Sequence, residues 1–171
     1  SMTYRQWYKK YVEGEPEAEL AERMTQNTSG DRAQWQRYRA LLGKDAPKDL
    51  AAFQRMKYTD AAGWEELKST YRDVRWMRNS QANGIEREET HTTPLQSTPD
   101  TVFDRTVDGE IVTRRYYGRT GKPRLDIDLT DHGNPTRHTM IPHHHGWEEL
   151  TDGSVRRDKA TDQELTLAQR I

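Results

Sequence analysis

No cysteine occurs anywhere in the 171 residues. Disulfides, thiolate zinc sites and cysteine nucleophiles are therefore excluded, while the cell compartment stays open. Apolar residues are scarce as well: hydrophobic types make up 32% of the chain, no more than the 32% that is charged, and mean hydropathy is −1.18. So little apolar material argues against one large core and favours one domain, or a small domain with an appended module. No apolar run reaches the length of a membrane span or a signal-peptide core, so no membrane is expected among the partners. A strong excess of one charge is missing too. With a formal net charge of −1, bulk electrostatics will not hold nucleic acid, and any such contact needs a local basic patch. The Ser-Met start resembles a cloning remnant and points to a fragment of a longer protein.

Aromatic side chains are what the chain has instead. Five tryptophans and eight tyrosines offset the shortage of aliphatics, because each removes a large apolar area from water when buried. In the first half they recur at helical spacing. Tyr4, Trp7, Tyr8, Tyr11 and Val12 mark one helix face, which Gly14 ends, and Pro16 suits the start of a second helix with Leu20 and Met24. Ser29 or Asp31 is placed to cap a third helix, with Trp35, Tyr38, Leu41 and Leu42 and a closing Gly43. Pro47 and Asp49 open a short helix through Leu50, Phe53 and Met56. Asp60 caps a longer one in which Trp64, Leu67, Tyr71 and Val74 repeat at three- and four-residue steps. Residues 1–78 are thus expected to form a small helical bundle with an aromatic core. A base-stacking platform would need those aromatics on a basic exposed face, a role that Arg72, Arg75 and Arg78 support weakly.

Periodicity then fades. Residues 79–100 are rich in Asn, Ser, Gln, Thr and Pro and read as a linker or a surface-hugging irregular segment, in which His91 is expected to be merely solvated. From Thr101 the pattern alternates. Two strand-like runs, 102–107 and 110–117, flank Asp108-Gly109, a strong hairpin signal. After a second turn over 118–123, Leu125, Ile127 and Leu129 alternate with Asp126, Asp128 and Thr130, which puts the two aspartates on one sheet face. Asp152-Gly153 marks a further turn, and Thr161 or Asp162 could cap a last helix. The expected fold is α+β: an N-terminal helical bundle followed by a small antiparallel β-meander with a His-rich loop, the second domain spanning residues 101–171.

That loop holds the most informative chemistry. Five of the six histidines fall between His132 and His145, and imidazole is both the side chain that titrates near neutrality and the commonest metal ligand. One reading is a divalent metal site, zinc or similar, through His143, His145 and Asp131. Adjacent extended residues point to opposite faces, so His143 and His145 can share an ion while His144 cannot. A second reading is metal-free acid–base chemistry, in which one histidine takes a 2′-hydroxyl proton, another protonates the leaving oxygen, and a cation stabilises the phosphorane-like charge. A third is structural, with histidines and aspartates hydrogen-bonding a loop poor in apolar content. Nearby Arg114, Arg115, Arg119, Lys122 and Arg124 crowd the second hairpin. They suit either phosphate binding or an edge strand kept soluble by charge.

Two stretches carry a family resemblance. The segment LGKDAPKDLAAFQRMKYTDAAGWEELKSTYRDVRW, Leu42 to Trp76, resembles the region that follows the head-morphogenesis domain in minor head proteins of Gram-positive phages and prophages, relatives of the F protein of phage Mu. The segment DIDLTDHGNPTRHTMIPHHHGW resembles the end of such proteins and of some polymorphic toxins, where the pattern runs D-I-D-x-T-x-H-G-x-P-x-x-H-x-x-P-H-x-H-x-W. Asp126, Asp128, Thr130, His132, Gly133, Pro135, His138, Pro142, His143, His145 and Trp147 fill it, and His144 stands outside it. The resemblance implies a phage or prophage association, in the virion or the bacterial cytoplasm. The F-type proteins often carry variable C-terminal domains, many regarded as toxins. It brings no established reaction, and the head-morphogenesis domain itself is not in this chain.

Together these observations lead to an effector-like nuclease module that cleaves RNA in preference to DNA. His132, His138, His143 and His145 supply acid–base or ligand groups, Asp126 and Asp128 orient imidazoles or bind metal, and Arg115 with Arg124 holds phosphate. Nucleic acid, phage head proteins and an immunity protein are the partners this reading names. The rival reading is a non-enzymatic virion module that docks through its aromatic helices, with the His loop as a structural or metal-stapled element.

Overall fold

The computed structural model describes residues 1–11, 17–129, 143–158 and 163–164, with the backbone alone for 9–11, 143, 163 and 164. Among the described residues five α-helices precede a sheet, as the change of periodicity predicts. They are α1 (Tyr4–Tyr11), α2 (Glu17–Gln26), α3 (Thr28–Leu42), α4 (Leu50–Thr59) and α5 (Ala61–Asn83). The strands are β1 (Ile85–Glu89), β2 (Val102–Val107), β3 (Glu110–Tyr117), β4 (Pro123–Asp128), β5 (His143–Glu149), β6 (Val155–Arg157) and the short β7 (Gln163–Glu164). The chain divides into two compact units, residues 1–71 and 72–171.

In the first unit the caps do what their residue types dictate. The Asp49 carboxylate accepts from the Ala52 N–H at 2.8 Å, and the Asp60 carboxylate from the Gly63 N–H at 2.9 Å, which satisfies donors that a helix start leaves unpaired. Asp31 departs from expectation. Asn27 occupies the position before α3, and the Asp31 side chain is buried, taking hydrogen bonds from Lys57, Tyr58 and Gln54 of α4. The core is aromatic: Tyr38 stacks on Tyr71 with ring centroids 4.1 Å apart and meets Phe53 edge-on, beside buried Leu20, Leu42 and Leu67. The aromatic face of α1 is different, because Tyr4, Trp7 and Tyr8 stay exposed.

In the second unit the strands run in the order β1-β2-β3-β4-β5-β6, with β7 also paired to β5. All pairs are antiparallel except β1 with β2. The Asp108-Gly109 hairpin forms as predicted. Both residues have positive φ, 52° and 81°, the backbone that a two-residue turn matching strand twist requires. One sheet face buries Val102, Tyr116 and Ile127 against Met77, with Trp76 and Leu125 alongside. Each such side chain contributes about 1.5–3 kcal/mol when fully buried. Trp76 and Met77 belong to this core, so the compact unit begins within α5 and not after residue 78.

Two segments expected to be irregular are in part regular, the first as helix and strand and the second as strand. Residues 79–83 complete α5 and Ile85–Glu89 form β1. That strand is exposed at every position and carries no alternation, so its side chains give no sign of pairing that is made by the backbone. Likewise, His143–His145 do not sit in a loop but open β5, opposite β4. The expected last helix lies outside the described residues, apart from Gln163 and Glu164, which are strand.

Candidate functional site

Strand register assembles the site. Across the sheet Phe103 pairs with Arg115, Arg115 with Asp126, and Asp126 with His145; one step along, Thr113 pairs with Asp128 and Asp128 with His143. Alternation therefore brings Thr113, Arg115, Asp126, Asp128 and His145 to a single face, opposite the face that packs on α5. The two aspartates share a face as predicted, and both are buried, with 2% and 1% of their surface exposed.

The Asp128 carboxylate is a hub. It accepts a hydrogen bond from Arg157 of β6 and one at 3.4 Å from the Thr113 hydroxyl, and the buried His145 Nε2 lies 3.6 Å from it. Asp126 takes a bidentate pair from Arg115, Nε to Oδ1 at 2.7 Å and Nη2 to Oδ2 at 2.9 Å. Arg115 Nη1 also donates to the carbonyls of Thr93 and Pro94, at 3.0 and 3.1 Å, and its guanidinium lies 4.8 Å from the Trp147 ring centroid. Burial works against the Arg115 charge, but Asp126 outweighs it and raises the pKa above the ordinary arginine value. A guanidinium held on both edges and one face has little left to give a phosphate. Arg115, expected to bind substrate, instead fastens the segment after β1 to the sheet.

That segment carries residues that sequence reasoning passed over. A parallel return from β1 to β2 needs a connection of about a dozen residues that crosses the sheet, and here it runs over the polar face. Arg105 donates to the Thr90 carbonyl at 3.3 Å and Tyr117 to the Pro94 carbonyl at 2.6 Å. Burial, assisted by Asp126, pushes the Tyr117 hydroxyl up to about 12. Between these anchors His91 is exposed. His91, Thr92, Thr93 and Leu95 join Arg105, Thr113, Arg115, Asp126, Asp128 and Arg157 around an open concavity of about 370 Å³. Three arginines face two aspartates in that lining, so the site is locally positive on a chain whose net charge is −1.

Arg124, the other expected phosphate ligand, is elsewhere. Its guanidinium stacks 4.1 Å from the Trp76 ring centroid, beside a concavity of about 270 Å³ that is also lined by Leu125 and His144. The structure does not bring it together with Arg115. His132, His138 and Asp131 lie outside the described residues, as does the side chain of His143. Among the described residues, no three His, Asp or Glu side chains converge as ligands of one metal ion. Arg157 could have been suspected from the Asp152-Gly153 turn, which returns the chain along β5. His91 gave no signal, since a histidine in a polar stretch reads the same whether or not that stretch crosses a site.

Compared with known protein families, with curated proteins and with solved structures, the chain matches none. Among the described residues, no helix is long and apolar enough to cross a membrane.

Proposed function

We propose that residues 72–171 form a nuclease module that acts on RNA, the effector-like end of a phage- or prophage-associated protein. The observation that supports this best is the locally positive concavity backed by Asp128, which holds a histidine on one side and an arginine on the other. Phosphodiester transfer needs a group to take a proton, a group to return one, and a fixed cation for the charge that develops on phosphorus-bound oxygen. His132, His138 and His143, with Asp126 and Asp128 to orient them, are the candidates for the first two tasks. Arg157, partly exposed and held by Asp128, is suited to the third. Attack by the 2′-hydroxyl forms the O2′–P bond and breaks the P–O5′ bond, leaving a 2′,3′-cyclic phosphate and a 5′-hydroxyl. The metal alternative through His143, His145 and Asp131 stays within the proposal, and chelation separates the two.

The test is direct. Purified protein incubated with RNA and DNA oligonucleotides should cleave RNA to cyclic-phosphate ends, and Asp128→Asn should slow cleavage by about 10²–10⁴-fold, the range for losing one acid–base function. Cleavage that persists in chelator identifies the metal-free route, and cleavage that stops identifies the metal-dependent one. Expression inside bacteria should be toxic, and the variant should relieve it. A wild-type protein inert towards both nucleic acids and harmless in cells overturns the reading. The virion-module reading, which the exposed Tyr4, Trp7 and Tyr8 face of α1 favours, would then take its place.

A further inference from the structure

Among the described residues, nothing takes a hydrogen bond from the Arg124 guanidinium, although stacking on Trp76 holds it in place. We propose that the concavity it borders, between α5 and strands β4 and β5, binds one nucleotide, with the base on an apolar floor and the phosphate on Arg124. The site lies on the sheet face opposite Asp126 and Asp128. It goes beyond the nuclease reading and stands whether or not the polar face cleaves RNA.

Three observations carry it. First, a bulge delivers the arginine. Alternation from Asp126 would put Arg124 on the polar face, but the register of β3 with β4 shifts between Tyr116 and Tyr117. Tyr116 pairs with Leu125 and Tyr117 with Pro123, so Arg124 has no partner residue on β3. A bulge re-aims a side chain, and here the guanidinium comes to lie 4.1 Å from the Trp76 ring centroid. Second, this stack differs from two others in the chain. Arg39, stacked on Trp35, donates to the Lys48 carbonyl at 2.7 Å. Arg115, beside Trp147, is held by Asp126 and two carbonyls. Arg124 is fixed by its ring and keeps its donors for an anion, which a planar guanidinium grips in bidentate fashion.

Third, the rest of the lining fits one class of ligand. The concavity measures about 270 Å³, close to the small end of ligand pockets at roughly 300 Å³, which suits a single ring system with one charged group. Met77 and Leu125 give it an apolar floor, and Gly146, paired with Leu125, leaves open the space that a side chain would fill. The Asp73 carboxylate of α5 stands on the same lining, exposed and without an ion pair or hydrogen bond among the described residues. A sugar phosphate would leave the apolar floor unused. An aromatic carboxylate would meet only repulsion from Asp73. A nucleotide satisfies all three features: a flat base for the floor, N–H groups for Asp73 and a phosphate for Arg124.

The experiment uses the full chain and guanosine 5′-monophosphate, whose base offers adjacent N–H donors to a carboxylate. Calorimetry should show binding, and Arg124→Gln, at an exposed position, should weaken it by about tenfold or more, the loss of a charge-assisted hydrogen bond. Tryptophan fluorescence should change on titration. Trp76→Phe, which keeps a ring beneath Arg124, should retain binding and lose most of that change. Ribose 5-phosphate should bind at least about tenfold more weakly than the nucleotide, because it lacks the base. An uncleavable 2′-O-methyl hexanucleotide separates the sources of the ligand. Tighter binding than the mononucleotide, with the gain lost in Arg124→Gln, marks a hold for an RNA strand, and equal or weaker binding marks a free nucleotide. Absence of nucleotide binding overturns the proposal, as does ribose 5-phosphate binding as tightly as the nucleotide. Binding that Asp128→Asn weakens and Arg124→Gln leaves unchanged also overturns it, by placing the nucleotide on the polar face, and leaves the nuclease reading intact.

Discussion

Asp31 in the helical unit and Asp128 in the sheet unit are both buried carboxylates, 3% and 1% exposed, each gathering several polar partners. They do different things. Asp31 takes Lys57 at 2.8 Å, Tyr58 at 2.7 Å and Gln54 at 3.1 Å, all from α4, so its bonds tie one helix to the next. Asp128 takes its partners from β3, β5 and β6, and two of the residues that meet there, Thr113 and Arg157, line an open concavity with it. A buried charge by itself therefore says little about function, since buried ionic groups also serve packing and specificity. What distinguishes Asp128 is that part of its network faces a space where a ligand fits.

The sharpest way to break that distinction is to ask whether the neighbouring Arg115–Asp126 pair belongs with the fastening type or the functional type. Its geometry says fastening. Arg115→Ala leaves Asp126 buried without its counter-charge and should destabilise the sheet unit by about 3–5 kcal/mol. Hydrogen exchange should place the loss in β2 to β5. Arg115→Leu combined with Asp126→Leu should recover most of that stability, because replacing both partners removes the uncompensated charge. A stable Arg115→Ala protein with weakened RNA binding would move Arg115 to the functional type and restore its expected role as a phosphate ligand.

The Asp31 network offers a smaller and pH-dependent test. Burial opposes its charge, but the hydrogen bonds from Lys57, Tyr58 and Gln54 more than offset this and hold the carboxyl below its ordinary 3.8. A depressed folded value means that the stabilisation is complete above the unfolded value and fades as pH falls through the folded one. The α3–α4 pair should therefore weaken below about pH 4. Asp31→Asn should cost about 2 kcal/mol at neutral pH, and its penalty should shrink in acid, as followed by urea unfolding at pH 7 and pH 3. A penalty that does not change with pH would show that shape, and not charge, holds this seam.

How much of this was legible depends on which atoms do the work. Helices with one apolar face, the Asp49 and Asp60 caps and the Asp108-Gly109 turn are written in side chains at fixed spacing, and they could be read. The shared face of Asp126 and Asp128 follows from period-two alternation. Ile85–Glu89 and His143–His145 could not be read as strands, because neither carries an apolar stripe and both are held by backbone pairing to neighbours distant in sequence. The site suffered in the same way. Its motif half is local, but Arg157 arrives through β6 and His91 through a crossover whose path depends on β1 being parallel to β2. For Arg115 the sequence shows a cation but not the carboxylate and carbonyls that hold it in the structure.

The smallest effect expected is the most diagnostic for how the crossover is held. Gly121 sits in the turn between β3 and β4 with φ at +79°. A Cβ there would collide with the Ser97 carbonyl oxygen and with Gln96 Nε2. The Ser97 N–H donates to the Gly121 carbonyl at 2.9 Å, and Gln96 Nε2 donates to the Thr120 carbonyl at 3.2 Å. The turn thus clasps the far end of the segment whose near end carries His91. Gly121→Ala should cost about 1–2 kcal/mol, the expense of an L-residue in a left-handed conformation, with a further share from the clash with a backbone oxygen. Because Arg115 and Tyr117 still anchor Thr93 and Pro94, the loss should be confined to residues near 96–97, with faster hydrogen exchange there. RNA cleavage should fall less than in Asp128→Asn. Should cleavage fall as far as in that variant, the clasp at Gly121 shapes the concavity, and the arginine anchors alone do not fix it.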